Sequence, residues 1–532
     1  MRDLHLPGRS PVLSAHGMAA TSMPQATLAA LDVLRSGGNA LDAAVAAVAV
    51  LGVVEPQSTG LGGDCFCLYA PAHQRRVVAL NGSGRAPAGA SIDWFESHGI
   101  AALEPTSAHA VTVPGAVSAW ETLLEAYGTR GFDELLRPAI AYAEEGFFVS
   151  PVVASAWQAN AGKLRANGAA PFLPGGRAPA WGDRFVQPEL ARTLRAIARH
   201  GARAFYEGEV AADLVAALNA RGGLHTLEDF AAGRTAAHFV EPIHIPWNGY
   251  EVWQCPPNGS GMIVLMILGI LAGFGPAPDG PLGVTRWQRH IEAARLAYRD
   301  RDAFLADPTQ VAVPVEKLTS PAYLDSLRRL IRDDAALPEL PPAGESDLAR
   351  HKDTVYLCVV DRDGNACSFI NSLFQAFGSG ILGAKSGVML QNRGFGFRLQ
   401  RGHPNCIAPG KRPLHTIIPG MVTKDGTAVM PYGVMGGHYQ PMGQTSFLTN
   451  HFDYGLDLQE SLDLCRLFPF GGKVQVERGV PAALREGLAA LGHSLEEVAT
   501  PHGGGQAIWI DHARGCLVGA SEPRKDGCAL GY

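Results

Sequence analysis

At 532 residues the chain exceeds the usual size of one domain, so two or more units, or one large interlocked unit, are expected. A formal charge of −6 speaks against a nucleic-acid partner, which requires a basic face. The nine cysteines are scattered without CxxC spacing, and the opening MRDLHLPGRSPVL holds no apolar core of signal-peptide type, so reduced thiols and a cytoplasmic location are expected.

Taken in order, Ser22 with Pro24 two residues on marks a helix start, and Leu28, Leu31 and Leu34 are placed on one face before Gly37-Gly38 ends it. A second helix follows Asn39. Its apolar run, Ala40–Val54, carries Asp42 and stops at Glu55-Pro56, short of the roughly 20 residues a membrane span needs. It reads as a buried core helix. Residues 55–64 place glycines and a proline around Gln57-Ser58-Thr59, a composition for a tight turn, beneath a site or simply between helix and strand. Residues 66–69 and 77–80 pattern as a hairpin leading to NGSGRAP at 81–87. After the Val113-Pro114-Gly115 turn, 116–127 and 136–145 pattern as an outer helical layer. Residues 151–188 are rich in Gly and Pro and read as surface loops, and 210–221 as a helix capped by Gly222-Gly223. A turn-rich stretch at 253–261, WQCPPNGSG, precedes an apolar helix over 262–271. Trp287, Ile291, Ala294, Tyr298 and Leu305 then mark one helix face, opposite a solvated face of Arg286, Arg289, Arg295 and Arg299. Residues 333–349 read as a mobile linker.

The stretch of most chemical interest is HKDTVYLCVVDRDGNACSFINSLFQAFGSG, residues 351–380. Thr354 opens an uncharged run to Val360 in which both alternating sets of side chains are largely apolar, as in a strand covered on two faces. Asp361 to Gly364 reads as a hairpin turn, with a second buried strand over 366–373. A threonine at the start of a strand, just behind a charged segment, suits an N-terminal nucleophile. Cutting the chain before it puts hydroxyl and α-amine on one residue, so nucleophile and general base come together.

GGNALDAAVA, EPQSTGLGGD, PPNGSG, DTVYLCVVDRDGNA, FGSG, GKRPLHTIIP, GVMGG and the terminal GASEPRKDG together resemble the γ-glutamyltransferases (γ-glutamyl transpeptidases) and their hydrolase relatives, in family order over almost the whole chain. The resemblance implies an α+β fold, a four-layer αββα sandwich of N-terminal-nucleophile type. It implies self-cleavage before Thr354 into segments 1–353 and 354–532 that interlock as a heterodimer. It casts Thr354 as nucleophile, Ser372 in place of a supporting threonine, and Gly436 and Gly437 as the oxyanion-hole pair, where the absence of Cβ leaves room for the developing charge. NGSGRAP, QNRG at 391–394 and MGGHYQP are similar to the hydrolase-like branch that includes oxamate amidohydrolase.

The substrate-gripping positions depart from the family pattern. Ser83 stands where an arginine holds the glutamyl carboxylate, and Arg85, two residues on, takes that role only if the loop backbone differs. Gly396 stands where an acid holds the glutamyl α-amine, His415-Thr416 replaces a Ser-Ser pair, and Phe374 replaces an Asn. Arg393, His415, Thr416 and Arg85 are therefore the candidate substrate-binding residues, able to hold a bare carboxylate. Arg393 at the surface and His415 as a packed core residue are the plainer alternatives. The expected activity is hydrolysis of a small carboxylate-bearing or γ-glutamyl amide through a threonyl ester. The alternatives are a glutathione hydrolase or authentic γ-glutamyltransferase and, third, a non-catalytic binding protein of the same fold. No cofactor or metal is expected, since HExxH and metal-ligand spacing are absent from the sequence. Nor is any nucleic-acid or membrane partner expected, and association beyond the heterodimer is left open.

Overall fold

Val355, Leu357 and Val359 face one side of their strand and Tyr356, Cys358 and Val360 the other, and all six are buried. Side chains alternate across a strand, so this burial requires a packed layer on each side. In the computed structural model, which describes residues 8–338, 340 and 354–532, both layers are present. Tyr356, Cys358 and Val360 join Phe66, Leu68, Met421, Met435, Ile508 and Ile510 in one apolar cluster. Val355, Leu357 and Val359 join the side chains of helix Ala40–Val54 in another.

The frame, among the described residues, is a pair of seven-stranded sheets. The first runs in the order Cys528–Gly531, Met18–Thr21, Val355–Val360, Ala366–Ser372, Asp64–Ala70, Val78–Gly82, His238–Val240. Its register sets Val355 opposite Asn371 and Ser372 opposite Asp64, so Thr354, Ser372 and Asp64 meet at one end of three adjacent strands. The second runs Val12–Ser14, Cys516–Ser521, Gly504–Asp511, Thr427–Met435, Gly420–Lys424, Tyr250–Gln254, Ile243–Trp247. Its other face, through Val422, Met430, Tyr432 and Ala507, packs on Val264, Leu265 and Leu268 of helix Gly261–Ala272 and on Phe447 and Leu448 of helix Gln440–Phe452.

Helix Ala40–Val54 is buried along its length, and Asn39 caps it by accepting from the Leu41 and Asp42 N–H groups while Asp42 reaches back. Among the described residues no helix is long and apolar enough to cross a membrane. All nine cysteines are free thiols.

Four expectations change. The first helix is Pro24–Arg35 with Met23, not Ser22, at its N-cap; the Ser22 hydroxyl donates to Glu55 instead. Leu28 is 51% exposed, because spacings of three alone drift around a helix of 3.6 residues per turn. Residues 151–188 are not all loop: Pro151–Ala166 is an α-helix capped by Ser150, burying Val153, Trp157 and Leu164, and the Gly and Pro residues that dominate the composition lie beyond it. The arginine face of helix Val284–Phe304 is covered rather than solvated. Arg286 is buried, donating to Thr449 and Asn450. Arg289, Arg295 and Arg299 pair with Asp333, Glu292 and Asp300. The linker expected over 333–349 lies outside the described residues at 339 and 341–349, as do His351 to Asp353 and residues 1–7.

Where the sheets meet, an added Cβ at Gly433 would lie 2.4 Å from the Tyr356 ring. Gly433→Ala is expected to force this interface apart and cost about 1–3 kcal/mol as an overpacked core does. The check is the urea unfolding midpoint, which should fall with an unchanged slope.

Candidate active site

Thr354 precedes its strand and is 1% exposed. Its hydroxyl lies 3.1 Å from that of Ser372. Ser372 in turn accepts from the Phe374 N–H at 2.8 Å and, at the long distance of 3.5 Å, from Nη2 of Arg393. Both donors draw on the Ser372 oxygen, which makes its hydroxyl a better proton donor.

Arg393 opens the short turn Arg393–Gly396 and is completely buried, so it is not a surface arginine. Nη1 donates to the Thr416 hydroxyl at 2.8 Å, and the guanidinium carbon sits 4.0 Å over the Phe374 ring. Among the described residues Nε has no hydrogen-bond partner and no carboxylate forms an ion pair with this arginine. Burial pushes its pKa down to about 9, with only the charge of Asp64 acting against the shift. Gly396 lies so close to a neighbouring stretch of chain that a Cβ would stand 3.1 Å from the Leu414 carbonyl oxygen.

Asp64 organises the floor of the site. One carboxylate oxygen accepts from the Gly84 N–H, the Gly115 N–H and the Gln391 side chain at 2.9, 3.1 and 2.9 Å. The other takes Nε2 of His415 at 3.0 Å. Nδ1 of His415 accepts from the Ile417 N–H at 3.3 Å, which puts the ring proton on Nε2, facing Asp64. Burial, followed by the nearby Arg393 charge, pushes the His415 pKa down to about 3. His415 is thus a neutral histidine with both nitrogens engaged, while the Thr416 hydroxyl reaches the guanidinium.

Arg85 lies apart from this group. Its side chain is 35% exposed, lies 3.8 Å from Asp307 and donates to the Gly410 carbonyl. Ser83 is buried and accepts from Asn258. Gly436 and Gly437 follow strand Thr427–Met435 with φ of 124° and 59°, and a Cβ on Gly436 would lie 2.7 Å from the Gly503 Cα. Glycine is required there by conformation and by space. The turn continues into His438, whose Nδ1 accepts from Arg301 at 3.0 Å and whose carbonyl accepts from the Tyr298 hydroxyl. Among the described residues no group of three or more His, Cys, Asp or Glu side chains is arranged to hold a metal ion.

Sequence reasoning missed Asp64, Gln391, the Tyr298 and Arg301 props and Glu55. For Asp64 the available signal was its place at the end of a glycine-rich turn. Glu55 ends helix Ala40–Val54, and its backbone carbonyl accepts from Ser58, whose own carbonyl accepts from the N–H of Leu373. The returning strand therefore ends on the turn that Glu55 starts.

The sequence profile of the gamma-glutamyltranspeptidase family matches residues 26–532. The chain is 37% identical to the glutathione hydrolase-like YwrD proenzyme of Bacillus subtilis, over 94% of this chain and 95% of that protein. It is 36% identical to the oxamate amidohydrolase proenzyme of Klebsiella pneumoniae, over 98% and 99%. A cephalosporin acylase structure from Bacillus halodurans superposes with a TM-score of 0.93 at 38% identity, covering 100% of this chain and 98% of that one. The likeness extends through both sheets and the strand end that carries Thr354, and makes the protein an enzyme of the N-terminal-nucleophile hydrolase class. Within that class it belongs to the gamma-glutamyltranspeptidase family.

Burial, opposed chiefly by the Ser22 hydrogen bond, raises the Glu55 pKa to about 7 from 4.5. The folded state therefore keeps a proton that the unfolded chain releases. The resulting stabilisation is complete below pH 4.5 and lost as pH rises through 7. Glu55→Gln, neutral throughout, should remove that slope, which at about 1.4 kcal/mol per pKa unit amounts to roughly 3 kcal/mol. Unfolding midpoints at pH 5 and pH 8 read the difference: wild type should lose more stability than the variant on going to pH 8.

Proposed function

We propose that the enzyme hydrolyses a small amide carrying a carboxylate, through an ester on Thr354. The observation that carries this reading is Arg393, a buried guanidinium without a carboxylate partner among the described residues, joined through Ser372 to the Thr354 hydroxyl. A buried unpaired charge costs several kcal/mol, and an anionic substrate offsets that cost. Thr416 and the Phe374 ring orient the guanidinium. His415 acts as a positioning residue through Asp64, while Arg85, tied to Gly410, takes no part.

The sheets and the helices on their outer faces are read as the four-layer αββα sandwich of N-terminal-nucleophile hydrolases. Thr354 becomes N-terminal when its hydroxyl attacks the Asp353 carbonyl, the acyl group moves from nitrogen to oxygen, and water releases the ester; Asp353 itself lies outside the described residues. The proenzyme names of the relatives support this processing. Segments 1–353 and 354–532 then remain together as a heterodimer, in a cytoplasmic enzyme.

In turnover the Thr354 hydroxyl oxygen bonds to the amide carbon, and the α-amine of Thr354 takes the hydroxyl proton. The Gly436 and Gly437 N–H groups stabilise the oxyanion. The carbon–nitrogen bond breaks as the α-amine passes its proton to the leaving amine. A water activated by the same amine then cleaves the ester to the acid. Glutathione hydrolysis is the second reading, favoured by the names of some relatives. Against it, Gly396 and Ser83 leave a glutamyl ammonium and carboxylate without their family partners.

A denaturing gel of active enzyme should show two pieces, split at Thr354, and Thr354→Ala one full-length band without activity; normal cleavage of that variant would remove Thr354 from the role. For the substrate, ammonia release from oxamate should exceed release of nitroaniline from γ-glutamyl-p-nitroanilide. Arg393→Ala should raise the Michaelis constant for oxamate about ten- to hundredfold, as loss of a charged hydrogen bond implies. Preference for the γ-glutamyl compound, with kinetics indifferent to Arg393→Ala, would sink the reading.

A further inference from the structure

The turn that carries Gly436 and Gly437 is built from two residues that have no side chain to fix them, with φ of 124° and 59°. Its two ends are fixed instead. On one side Met435 closes strand Thr427–Met435 and pairs with Gly504 of the neighbouring strand. On the other side stands His438, a buried residue held at both its backbone and its ring. The His438 carbonyl accepts from the Tyr298 hydroxyl, and Nδ1 accepts from Nη1 of Arg301 at 3.0 Å. The ring stacks on Phe470, with centroids 5.5 Å apart and planes 20° from parallel, and meets the Phe374 ring edge-on at 6.3 Å.

Both donors stand on one face of helix Val284–Phe304, three residues apart, and both are buried. Arg301 is itself immobilised. Its Nε and Nη2 take the Asp302 carboxylate at 2.8 and 2.6 Å, and its guanidinium carbon lies 4.7 Å over the Tyr298 ring, so Nη1 is aimed at His438. A guanidinium only donates, which requires the lone pair of His438 on Nδ1 and its proton on Nε2. The grip also crosses the Thr354 boundary, since the helix precedes Thr354 in the chain and the glycine turn follows it.

An oxyanion hole works only if its N–H groups already lie where the charge develops, within about 2.7–3.1 Å of that position. Two glycines do not ensure this by themselves. Between Met435 and a His438 fixed at two points, the pair keeps little conformational freedom. We propose that His438, gripped by Tyr298 and Arg301, is the positioning residue of the oxyanion hole and sets the direction of the Gly436 and Gly437 N–H groups. This rests on the glycine pair as the oxyanion donors and adds what holds them. Such a device strengthens binding of the transition state and not of the substrate, so its loss lowers kcat and kcat/KM together and leaves KM in place.

The test uses processed enzyme and the better substrate of oxamate and γ-glutamyl-p-nitroanilide. Tyr298→Phe removes one hydroxyl, and His438→Phe keeps a ring against Phe470 but gives Arg301 no acceptor. His438→Asn returns an acceptor. Methylboronic acid reads the hole directly: the Thr354 oxygen adds to boron, its proton passes to the α-amine, and a boron-bound oxygen of the tetrahedral adduct occupies the oxyanion position. Both Phe variants are expected to lose kcat by about three- to tenfold, as one hydrogen bond implies, with KM within about twofold of wild type. Inhibition by methylboronic acid should weaken by a similar factor, and the Asn variant should recover most of the loss. Unchanged kcat in both Phe variants, or a rise in KM alone, would overturn the positioning role and leave the glycine pair its part. A fall in kcat with undiminished boronate inhibition would overturn the positioning role together with the oxyanion reading of the pair.

Discussion

The arrangement of this site depends on a buried positive charge, Arg393, that among the described residues has no opposite charge in contact. Arg393 has a hydroxyl, an aromatic face and a second hydroxyl around it, and the charge of Asp64, whose carboxylate is bonded to His415, acts on it without an ion pair. Direct pairing with Asp64 would satisfy the guanidinium and leave nothing for a ligand. Engaging Asp64 with a neutral histidine, two backbone N–H groups and Gln391 keeps negative potential nearby without pairing it to the guanidinium. The compromise is costly to the free protein and is the kind of local strain on stability that functional sites carry.

The frame around it makes that compromise possible. Thr354, Ser372 and Asp64 come from three neighbouring strands of one sheet, and their alignment follows from backbone register rather than from flexible side chains. The glycine pair comes from the other sheet, and the two sheets are brought close by the absence of a side chain at Gly433, against which the Tyr356 ring lies. The buried helix Val284–Phe304 holds the turn after the pair through Tyr298 and Arg301. A site built this way loses little on reorganisation, because its donors are already fixed by packing.

Ser83, Phe374 and Gly396 each have a local setting in the wall of the site. Ser83 is tied to Asn258, which also donates to the Pro413 carbonyl, so this loop is part of the wall. Phe374 supplies the face on which Arg393 rests. At Gly396 a Cβ would be a tight neighbour of the Leu414 carbonyl oxygen.

Much of the frame was legible in the chain. The apolar runs on either side of Asp361 to Gly364 read as a doubly covered hairpin, the run after Asn39 as a buried helix, and Thr354 at a strand start as a nucleophile, while the role of the glycine pair came from the family resemblance. What the sequence by itself determined, then, was local: the elements whose periodicity is unambiguous, and the groups whose chemistry is intrinsic. Composition misled where a helix such as Pro151–Ala166 was averaged with the glycines beyond it. Only the tertiary structure decided which polar groups are dry. Arg286 and Arg393 are both arginines in polar sequence, and nothing in their neighbours along the chain tells that both are buried. Burial is a property of the surfaces that happen to meet, and those are set by pairings across hundreds of residues, such as Ser372 with Asp64 and Asp64 with His415.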